Sequence, residues 1–353
     1  MLFILKNIEI NNIISYNILL REGDNMIKKL GVFKDFTDDS LKSVFDIGDN
    51  KIIEMTLLFN KEYDVVCVPT HHFCNLGCKM CHLTNNKLNK KMIPIKKEEF
   101  YKCLIDTLKV NGKKRTNKDK LLISFMGVGE PLLNFQLIKD IFLSEDKIKK
   151  ELNYEEISYA LATMMPNKNI EKITKEVNEL NMPLKIHFSL HTPIDEDRIK
   201  LIPSTKVNIN EALTYLINYK ELMQSNKKIM HRYTKIHRNN IPIEIHYTLI
   251  DKINDTKLEL EKLYELLKVY NIPIKFIKFN PKEDLSISKK EKQWIEYLNN
   301  NVKNIKIKTY TPPGREIGSS CGEFTKHYYH EEIETKEELE EFINWKKVHQ
   351  IFE

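Results

Sequence analysis

Three cysteines lie close together in the stretch HHFCNLGCKMC, residues 71–81. Cys74, Cys78 and Cys81 have a C-x3-C-x2-C spacing. A structural zinc site takes four ligands, and the plant-type iron–sulfur spacing has a fourth cysteine further along the chain. Three thiolates on a four-iron cubane would leave one iron with an open coordination position. The alternative is a zinc site that is completed by a neighbouring histidine, either His71, His72 or His82.

An iron with an open position can bind S-adenosylmethionine (SAM) through its amino and carboxylate groups. An electron from the cluster then cleaves the sulfonium to give a 5′-deoxyadenosyl radical, chemistry that belongs to the cofactor while the protein supplies position. The C-x3-C-x2-C spacing on a loop after a first strand resembles the signature of radical-SAM enzymes. We therefore predict a [4Fe-4S] cluster with Cys74, Cys78 and Cys81 as its metal ligands, and SAM as the second cofactor.

The chain around this loop alternates between predicted strands and helices. Strand-like runs occupy residues 63–69, 121–127, 156–162, 183–190, 242–250 and 273–280. Amphipathic helical patterns lie between them, for example at residues 97–110, 167–180 and 255–270. This alternation predicts a parallel sheet, and six units fall short of the eight that close a full barrel. We predict an α/β fold, a partial (β/α)6 radical-SAM barrel with a short N-terminal element and a C-terminal extension.

Three segments are expected along the chain. Residues 1–50 would form the short N-terminal element, with Met26 as an alternative start. Residues 51–325 would form the radical-SAM core and include a C-terminal catalytic cysteine. Residues 326–353 are rich in glutamate and would form an acidic helical tail.

Composition limits the partners of the protein. The 353 residues are 41% hydrophobic, and lysine plus arginine exceed aspartate plus glutamate by 56 − 50 = 6. This surplus permits a nucleic-acid partner without requiring one. No run reaches the roughly 18–20 apolar residues of a membrane span. The first ten residues carry Lys6 and Glu9, which argues against a signal peptide. We expect a cytoplasmic protein with no membrane partner, in which thiols serve as ligands or catalysts.

One stretch is strongly basic. Residues 225–240, SNKKIMHRYTKIHRNN, contain no acidic residue. The stretch carries five cationic side chains, Lys227, Lys228, Arg232, Lys235 and Arg238. One interpretation is a solvated loop in a lysine-rich protein, and the other is a patch that contacts the phosphates of a nucleic acid.

Five further motifs resemble those of one branch, the radical-SAM RNA adenine methyltransferases of the RlmN and Cfr type. The motifs are SFMGVGEPLLN (124–134), FSLHTPIDEDRIKLIP (188–203), LIDKINDT (249–256), FNP (279–281) and SSCGEF (319–324). The resemblance runs from about residue 45 to 325. It differs at Met80, where the family usually has an aromatic residue, and in a shortened N-terminal region where the family has a helical RNA-binding domain.

The resemblance implies roles for individual residues. SAM would be bound by Gly129, Glu130, Ser189, Leu190, His191 and Asn280. Cys67 and Cys321 match the two catalytic thiols of the family. Glu54 stands where the family has a glutamate assigned as proton acceptor. From the residues alone, Cys67 could equally be a buried strand cysteine, Cys321 a loop thiol without a task, and Glu54 a solvated strand glutamate. Cys103 is interpreted as core packing.

The family's reaction, which the resemblance implies here, methylates a ring carbon of adenosine, carbon 2 or carbon 8, with two SAM molecules. One SAM methylates Cys321, and the radical from the other takes a hydrogen from that S-methyl group. The thiomethylene radical adds to the adenine ring, a base removes the ring proton, and Cys67 attacks Cys321 to release methylated RNA and a disulfide. This last step needs thiolate character at Cys67.

Three hypotheses follow for the function. The first is an adenine methyltransferase for ribosomal or transfer RNA, a monomer that takes electrons from flavodoxin or ferredoxin. The second is a radical-SAM enzyme with the same two-cysteine chemistry on a different RNA or a small molecule, which the shortened N-terminal region keeps open. The third is a cluster-bearing RNA-binding protein without enzymatic activity. Cys67 and Cys321 argue against the third, because a binding module needs neither thiol.

Overall fold

The structure is a computed structural model that describes residues 19–20, 27–84, 91–110, 119–282, 285–318 and 344–352. Strands β1 to β12 are Leu19–Leu20, Ile27–Lys34, Leu41–Gly48, Lys51–Phe59, Asp64–Cys67, Lys120–Phe125, Glu156–Thr163, Leu184–Ser189, Ile243–Tyr247, Ile274–Ile277, Ile307–Tyr310 and Gln350–Phe352. Helices α1 to α9 are Lys97–Lys109, Phe135–Leu143, Glu145–Leu152, Ile170–Glu179, Asp195–Leu201, Ile209–Ser225, Lys227–Thr234, Lys257–Tyr270 and Glu291–Asn301. Short 3-10 helices occupy Pro131–Leu133 and Arg315–Ile317.

Within these described ranges, all twelve strands belong to one sheet. Strands β1 to β11 follow one another across the sheet in chain order, and β12 pairs with β2. The strands from β5 to β11 are parallel, whereas β2, β3 and β4 form an antiparallel meander that joins β5. The N-terminal strands therefore continue the same sheet, and β11 adds a seventh parallel strand that the sequence pattern did not predict.

The helices between the parallel strands begin and end at clear local signals. The N-terminus of α8 is capped by Thr256, which forms a capping box with Glu259, and the helix ends at Asn271 in the left-handed conformation. The N-terminus of α6 is capped by Asn208, whose side chain accepts a hydrogen bond from the backbone N–H of Glu211. These signals fix both ends of α8 and the start of α6.

The two faces of the sheet differ in character. In β8, Leu184, Ile186 and Phe188 belong to the main apolar core. The alternating residues of the same strand, Lys185 and His187, contact polar groups of the neighbouring strands instead. Because successive side chains of a strand point to opposite faces, the sheet carries an apolar face towards the helices and a polar face on the other side.

The α/β prediction and the expected run of six β/α units are confirmed. The division into residues 1–50, 51–325 and 326–353 stays a prediction, since most of its last segment lies outside the described residues. In the described part of the chain, helices are too short or too polar to cross a membrane.

Candidate active site

The loop that carries the three cysteines follows β5, and several polar contacts fix its path. Lys79 donates its backbone N–H to the carbonyl of Leu201 at 3.0 Å. Ser204 donates its hydroxyl to the carbonyl of Leu76 at 2.7 Å. The buried Lys282 ammonium donates to the carbonyls of Cys81 and Thr84 at 2.9 and 2.5 Å. The loop is thereby held by the end of helix α5, by the residues that follow α5, and by the segment that follows strand β10.

An apolar cluster supports the same loop. Leu76, Cys78 and Met80 pack against the buried side chains Met164, Leu201, Ile202, Ile250 and Phe279. Met80, which replaces the aromatic residue usual in the family, is therefore a packing residue in this cluster. The loop is held from one side by apolar packing and from the other by the Lys282 ammonium.

The three thiols are half-buried and influence one another. Burial, together with the nearby Cys81 and Glu130, raises the pKa of Cys74 to about 11. Burial and the two other thiols also raise the pKa of Cys78, and burial raises that of Cys81. Because their pKa values are raised, the three neighbouring thiols would need a cation beside them to become thiolates. Bound iron would supply the positive charge and take the place of the thiol protons. The donor set fits a cluster with three protein ligands.

The zinc alternative fits the geometry less well. A tetrahedral zinc with bonds of about 2.3 Å to sulfur holds its sulfurs about 3.8 Å apart. Among the described residues, no set that contains these thiols has three donor atoms within 4.8 Å of one another. Two of the candidate histidines also have other contacts. His71 Nδ1 lies 2.9 Å from Thr70 Oγ1, and His72 Nε2 lies 3.4 Å from a carboxylate oxygen of Glu99.

The Gly129-Glu130 turn packs directly on the residues that precede the cysteine loop. Gly129 has φ +102°, and a Cβ there would lie 2.3 Å from His71 Nδ1 and 2.8 Å from Thr70 Oγ1. Only glycine fits, because both the conformation and the space exclude a side chain. The backbone N–H of Thr70 donates to the carbonyl of Val128 at 2.9 Å. The turn and the cysteine loop therefore form one unit.

The carboxylate of Glu130 joins two strand ends. It is 4% exposed, and it accepts the backbone N–H groups of Leu132 and Met164, both at 3.0 Å. Burial raises the pKa of Glu130 to about 7, against the effect of these hydrogen bonds. Each carboxylate oxygen can accept a further hydrogen bond, which leaves room for the SAM amino group. Binding of that group by Glu130 stays a prediction.

Arg198 is a site residue that the motif contained but that received no role from the sequence. Its side chain is 1% exposed and stacks over Phe188, 4.9 Å from the ring centroid. The guanidinium donates to four acceptors, the carbonyls of Met164, Ser189 and Leu190 and the hydroxyl of Thr205. It therefore locks the carboxyl ends of β7 and β8 together, beneath the predicted SAM-binding residues.

We expect Arg198→Met to destabilise the protein by at least about 3 kcal/mol, because several buried acceptors would lose their donor at about 1–3 kcal/mol each. Urea denaturation would measure the change. Lys200→Met is the matched control, since Lys200 lies on the same helix α5 and is 69% exposed. Equal unfolding midpoints for the two variants would contradict the structural role of Arg198.

The other predicted SAM-binding residues also lie at strand ends. Ser189 is the last residue of β8 and Leu190 follows it, and the backbone N–H of Leu190 donates to the carbonyl of His246. His191 has φ +56° and accepts the backbone N–H of Thr248 at Nδ1, so a proton on its neutral ring resides on Nε2. Burial lowers the pKa of His191 to about 3, which keeps the ring neutral. SAM binding by these residues stays a prediction.

Asn280 lies where the strand-end FNP motif places it. Its Nδ2 is 3.5 Å from His82 Nε2, on the loop that follows Cys81. Its Oδ1 accepts a hydrogen bond from Arg315 at 3.4 Å. Asn280 thus stands between the cysteine loop and the segment after β11, a place that suits a contact with SAM.

A second group of predicted residues gathers on one face of β3, β4 and β5. Thr56 pairs with Cys67 on one side and with Lys42 on the other, and Glu54 is two residues before Thr56. Paired residues and residues two apart share a face of the sheet. Lys42 Nζ lies 2.7 Å from Glu54 Oε2, with the side chains 1% and 8% exposed. Glu54 is therefore a buried, ion-paired carboxylate rather than a solvated strand glutamate.

Cys67 is the last residue of β5, and its side chain is half-buried. Burial raises the pKa of its thiol to about 11. The Lys42 ammonium and the backbone N–H of Met126 act in the opposite direction, and the Glu54 carboxylate adds to the increase. The raised pKa of Cys67 works against the thiolate character expected from the sequence, and the Lys42 charge works towards it.

The segment after β11 crosses to the start of the sheet. The backbone N–H of Gly314 donates to Asp38 Oδ2 at 2.6 Å, and that of Glu316 donates to Asp35 Oδ2 at 3.0 Å. Lys42 then donates to the carbonyl of Gly318 at 2.7 Å. We call residues 314–318 the strap. Cys321 follows the strap in sequence and lies outside the described residues.

A buried polar cluster surrounds Glu244 on the polar face of the sheet. Its carboxylate lies 2.9–3.1 Å from the ammonium groups of Lys185, Lys275 and Lys308. His187, Glu244 and His246 place three donor atoms within 4.8 Å of one another, as a metal site would. Three ammonium groups already neutralise the single carboxylate, so a divalent cation would be repelled. We interpret the cluster as an ion-pair network that joins β8 to β11.

The basic stretch, residues 225–240, contains helix α7 and lies at the end of the strands opposite to the cysteine loop. Arg232 pairs with both oxygens of Glu145, Lys235 pairs with Glu156, and Arg238 pairs with Glu62. Glu156 begins β7, and Glu62 shortly precedes β5. The amino ends of the strands are therefore next to α7, whereas the cysteines and the SAM motifs lie at the carboxyl ends. This placement favours the structural interpretation of the stretch over phosphate contacts at the site.

Comparisons with known proteins match these observations. No family model matches the chain. A solved radical SAM methyltransferase from Sphaerobacter thermophilus superposes with a TM-score of 0.65 at 19% identity, over 84% of this chain and 80% of that one. This likeness shows the fold. The predicted α/β fold is thereby confirmed, and in this chain the three-cysteine loop follows the first parallel strand.

Curated relatives narrow the class. A protein of Finegoldia magna named "Probable dual-specificity RNA methyltransferase RlmN" is 27% identical over 310 residues, 85% of this chain and 79% of its own length. A protein of the same name from Clostridioides difficile is 27% identical over 294 residues, 82% of this chain and 77% of its own length. The resemblance to the RlmN type that the motifs predicted is thereby confirmed.

Proposed function

We propose that this protein is a radical-SAM enzyme that methylates a ring carbon of adenosine, carbon 2 or carbon 8, in ribosomal or transfer RNA through a methylated Cys321. The observation that carries the proposal is the group formed by Cys67, Glu54 and Lys42 at the end of β5. A radical-SAM enzyme that only generates a radical has no use for a thiol such as Cys67 near a buried carboxylate such as Glu54. The two-cysteine methyl transfer needs that thiol to release the product and that carboxylate to take the ring proton.

The cofactors have separate places in this proposal. Cys74, Cys78 and Cys81 would hold the [4Fe-4S] cluster, and the Gly129 turn, Glu130, Ser189, Leu190, His191 and Asn280 would hold SAM. When bound, the cluster would supply the electron that cleaves SAM, with a flavodoxin or ferredoxin as the source. The Lys282 contacts and the apolar cluster around Met80 would hold the loop rigid for this purpose.

The residues of the chain then divide the remaining chemistry. Cys321 would carry the methyl group and become linked to the adenine ring through a methylene bridge. Glu54 would take the proton from the substituted ring carbon, and the one electron that the ring radical must lose would return to the bound cluster. The Cys67 sulfur would attack the Cys321 sulfur, so that an S–S bond forms as the S–CH2 bond breaks. The electron pair of the broken bond passes to the methylene carbon, which takes up a proton and becomes the methyl group of the product.

RNA would approach from the carboxyl ends of the parallel strands, where these groups lie. The basic stretch, residues 225–240, is at the other end and has three of its cations paired, so it does not provide the RNA surface. The second candidate function is the same chemistry on a small molecule, and it stands beside the first because the match covers 79% of the Finegoldia magna relative's own length rather than all of it. A substrate test separates the two.

The test uses anaerobically reconstituted protein with SAM, a chemical reductant, and either ribosomal RNA, transfer RNA or free adenosine nucleotides. Mass spectrometry of the digested nucleosides would detect methylated adenosine. We expect ring-carbon methylation of an RNA and none of the free nucleotides. SAM cleavage with methylation of the free nucleotides alone would replace the RNA proposal by the small-molecule one.

A further inference from the structure

Lys42 is the only part of the Cys67 group that neither its motif nor the family resemblance pointed to. It lies on β3 and its side chain is 1% exposed. Its ammonium contacts Glu54 Oε2 and the carbonyl of Gly318, both at 2.7 Å. One cation therefore connects the strand that carries Glu54 with the strap that leads to Cys321.

A buried ion pair contributes little to stability by itself. Removing two charges from water costs several kcal/mol for each ion, and well-packed apolar residues at the same positions often stabilise a protein as much or more. On the face that they share, Glu54 is paired with the buried Val44 and Lys42 is paired with the buried Thr56. A charged pair at this place therefore points to a purpose other than packing.

We propose that Lys42 is a positioning residue that serves both catalytic groups of the site. It positions the Glu54 carboxylate on the face that Cys67 shares, favours ionisation of the Cys67 sulfur, and fixes the carbonyl of Gly318 from which the chain continues to Cys321. The catalytic role of Lys42 rests on the proposed function, whereas the alkylation experiment that tests it does not.

The charges around Cys67 give the inference its measurable content. The groups that face the thiol are Lys42 on β3, Glu54 on β4, the backbone N–H of Met126 after β6, and Tyr310 on β11. Lys42 is the single cation among them. Burial, Cys67 and the acidic groups nearby raise the pKa of Tyr310 to about 12, so this phenol stays neutral over the useful pH range. Removing Lys42 must disfavour the thiolate, and removing the Glu54 charge must favour it.

The experiment measures how fast iodoacetamide alkylates Cys67 in the full-length, reconstituted protein between pH 8 and pH 10. Peptide mass spectrometry separates Cys67 from the other cysteines. We expect Lys42→Met to react about tenfold more slowly than the parent protein, equivalent to about one pKa unit. Glu54→Gln should react faster, and Lys42→Arg should react at close to the parent rate because it keeps the positive charge.

The opposite signs separate positioning from structural support. If Lys42 only supports the fold, both Lys42→Met and Glu54→Gln loosen the strands, expose Cys67 and accelerate alkylation. That result overturns the inference, as does an unchanged rate in Lys42→Met. Should Lys42→Met fail to fold, Glu54→Gln and Lys42→Arg still decide. A charge effect in Glu54→Gln moves the rise of the alkylation rate to lower pH, whereas loosened strands raise the rate equally at every pH. Slower alkylation of Glu54→Gln, or an equal increase at every pH, overturns the inference.

A failure of the methyltransferase proposal is recognised separately. Alkylation of Cys67 requires neither RNA nor turnover, so it tests the charge arrangement even if the substrate is wrong. Conversely, an active RNA methyltransferase in which Lys42→Met alkylates at the parent rate keeps the proposed function and removes the role of Lys42.

Discussion

Replacement of Cys74, Cys78 and Cys81 together with alanine is expected to abolish iron binding and all SAM cleavage while the protein stays folded. The three thiols lie on a loop whose path is fixed by Lys282, by backbone hydrogen bonds and by apolar packing, so the loop does not depend on the sulfurs for its position. Without three thiolates no cluster is held and no electron reaches SAM. Iron content, visible absorption and the yield of 5′-deoxyadenosine measure the effect.

A matched control tests whether any loss of cysteine has this effect. Cys103 is fully buried on α1, and it belongs to the main core as the sequence analysis predicted. Cys103→Ala should lower stability modestly and leave iron content and SAM cleavage unchanged. A triple variant that still cleaves SAM would show that the cluster assignment is wrong.

Cys67→Ala is expected to stop the reaction after the RNA has become attached to the protein. Cys321 would still be methylated and still be linked to the adenine ring, but no sulfur would remain to displace it from the methylene bridge. The protein should therefore accumulate as a covalent adduct with RNA when both are produced together. A denaturing gel, followed by nuclease digestion and peptide mass measurement, detects the adduct on Cys321.

Two variants guard this result. Cys321→Ala should give neither a methylated cysteine nor an adduct, because the carrier of the methyl group is missing. Cys67 is only half-buried, so removal of its sulfur should not unfold the protein and confuse the comparison. Normal turnover of Cys67→Ala would mean that Cys67 is a packing residue and that the two-cysteine reaction does not apply to this chain.

Local patterns were sufficient to predict the core of the fold. Each predicted strand overlaps an observed one, for example residues 156–162 with Glu156–Thr163, because a buried strand reads as a short β-rich run. The predicted helix at residues 255–270 is Lys257–Tyr270, and its ends follow from Thr256 and Asn271. Ile307–Tyr310 was missed, since this strand is only four residues long and two of its residues are exposed.

The residues that position the site were harder to predict because their partners are distant in sequence. Arg198 lay inside a recognised motif, where it stands among charged residues, DEDRIK, as a solvated helix residue would. Its contacts with Met164 and Ser189, however, exist only once β7 and β8 are adjacent. Lys42 contacts Gly318, 276 residues further along the chain. Its strand also carries Ser43 and Asp46, so no local sign distinguished Lys42 from a solvated lysine.

The basic stretch shows the limit of composition as evidence. Its lack of acidic residues suggested free cations for phosphates. In the structure Glu62, Glu145 and Glu156, each from a different part of the chain, pair with Arg238, Arg232 and Lys235. Counting charges within a window cannot detect partners that the fold brings from outside the window.

The most direct test of the central claim is nucleoside mass spectrometry of ribosomal and transfer RNA from cells with and without this gene. We expect one methylated adenosine, with the methyl group on carbon 2 or carbon 8, to be present with the gene and absent without it. The wild-type gene should restore the modification, and genes that encode Cys67→Ala or the triple cysteine variant should not. Identical methyladenosine profiles in the presence and absence of the gene would contradict the account of an RNA methyltransferase.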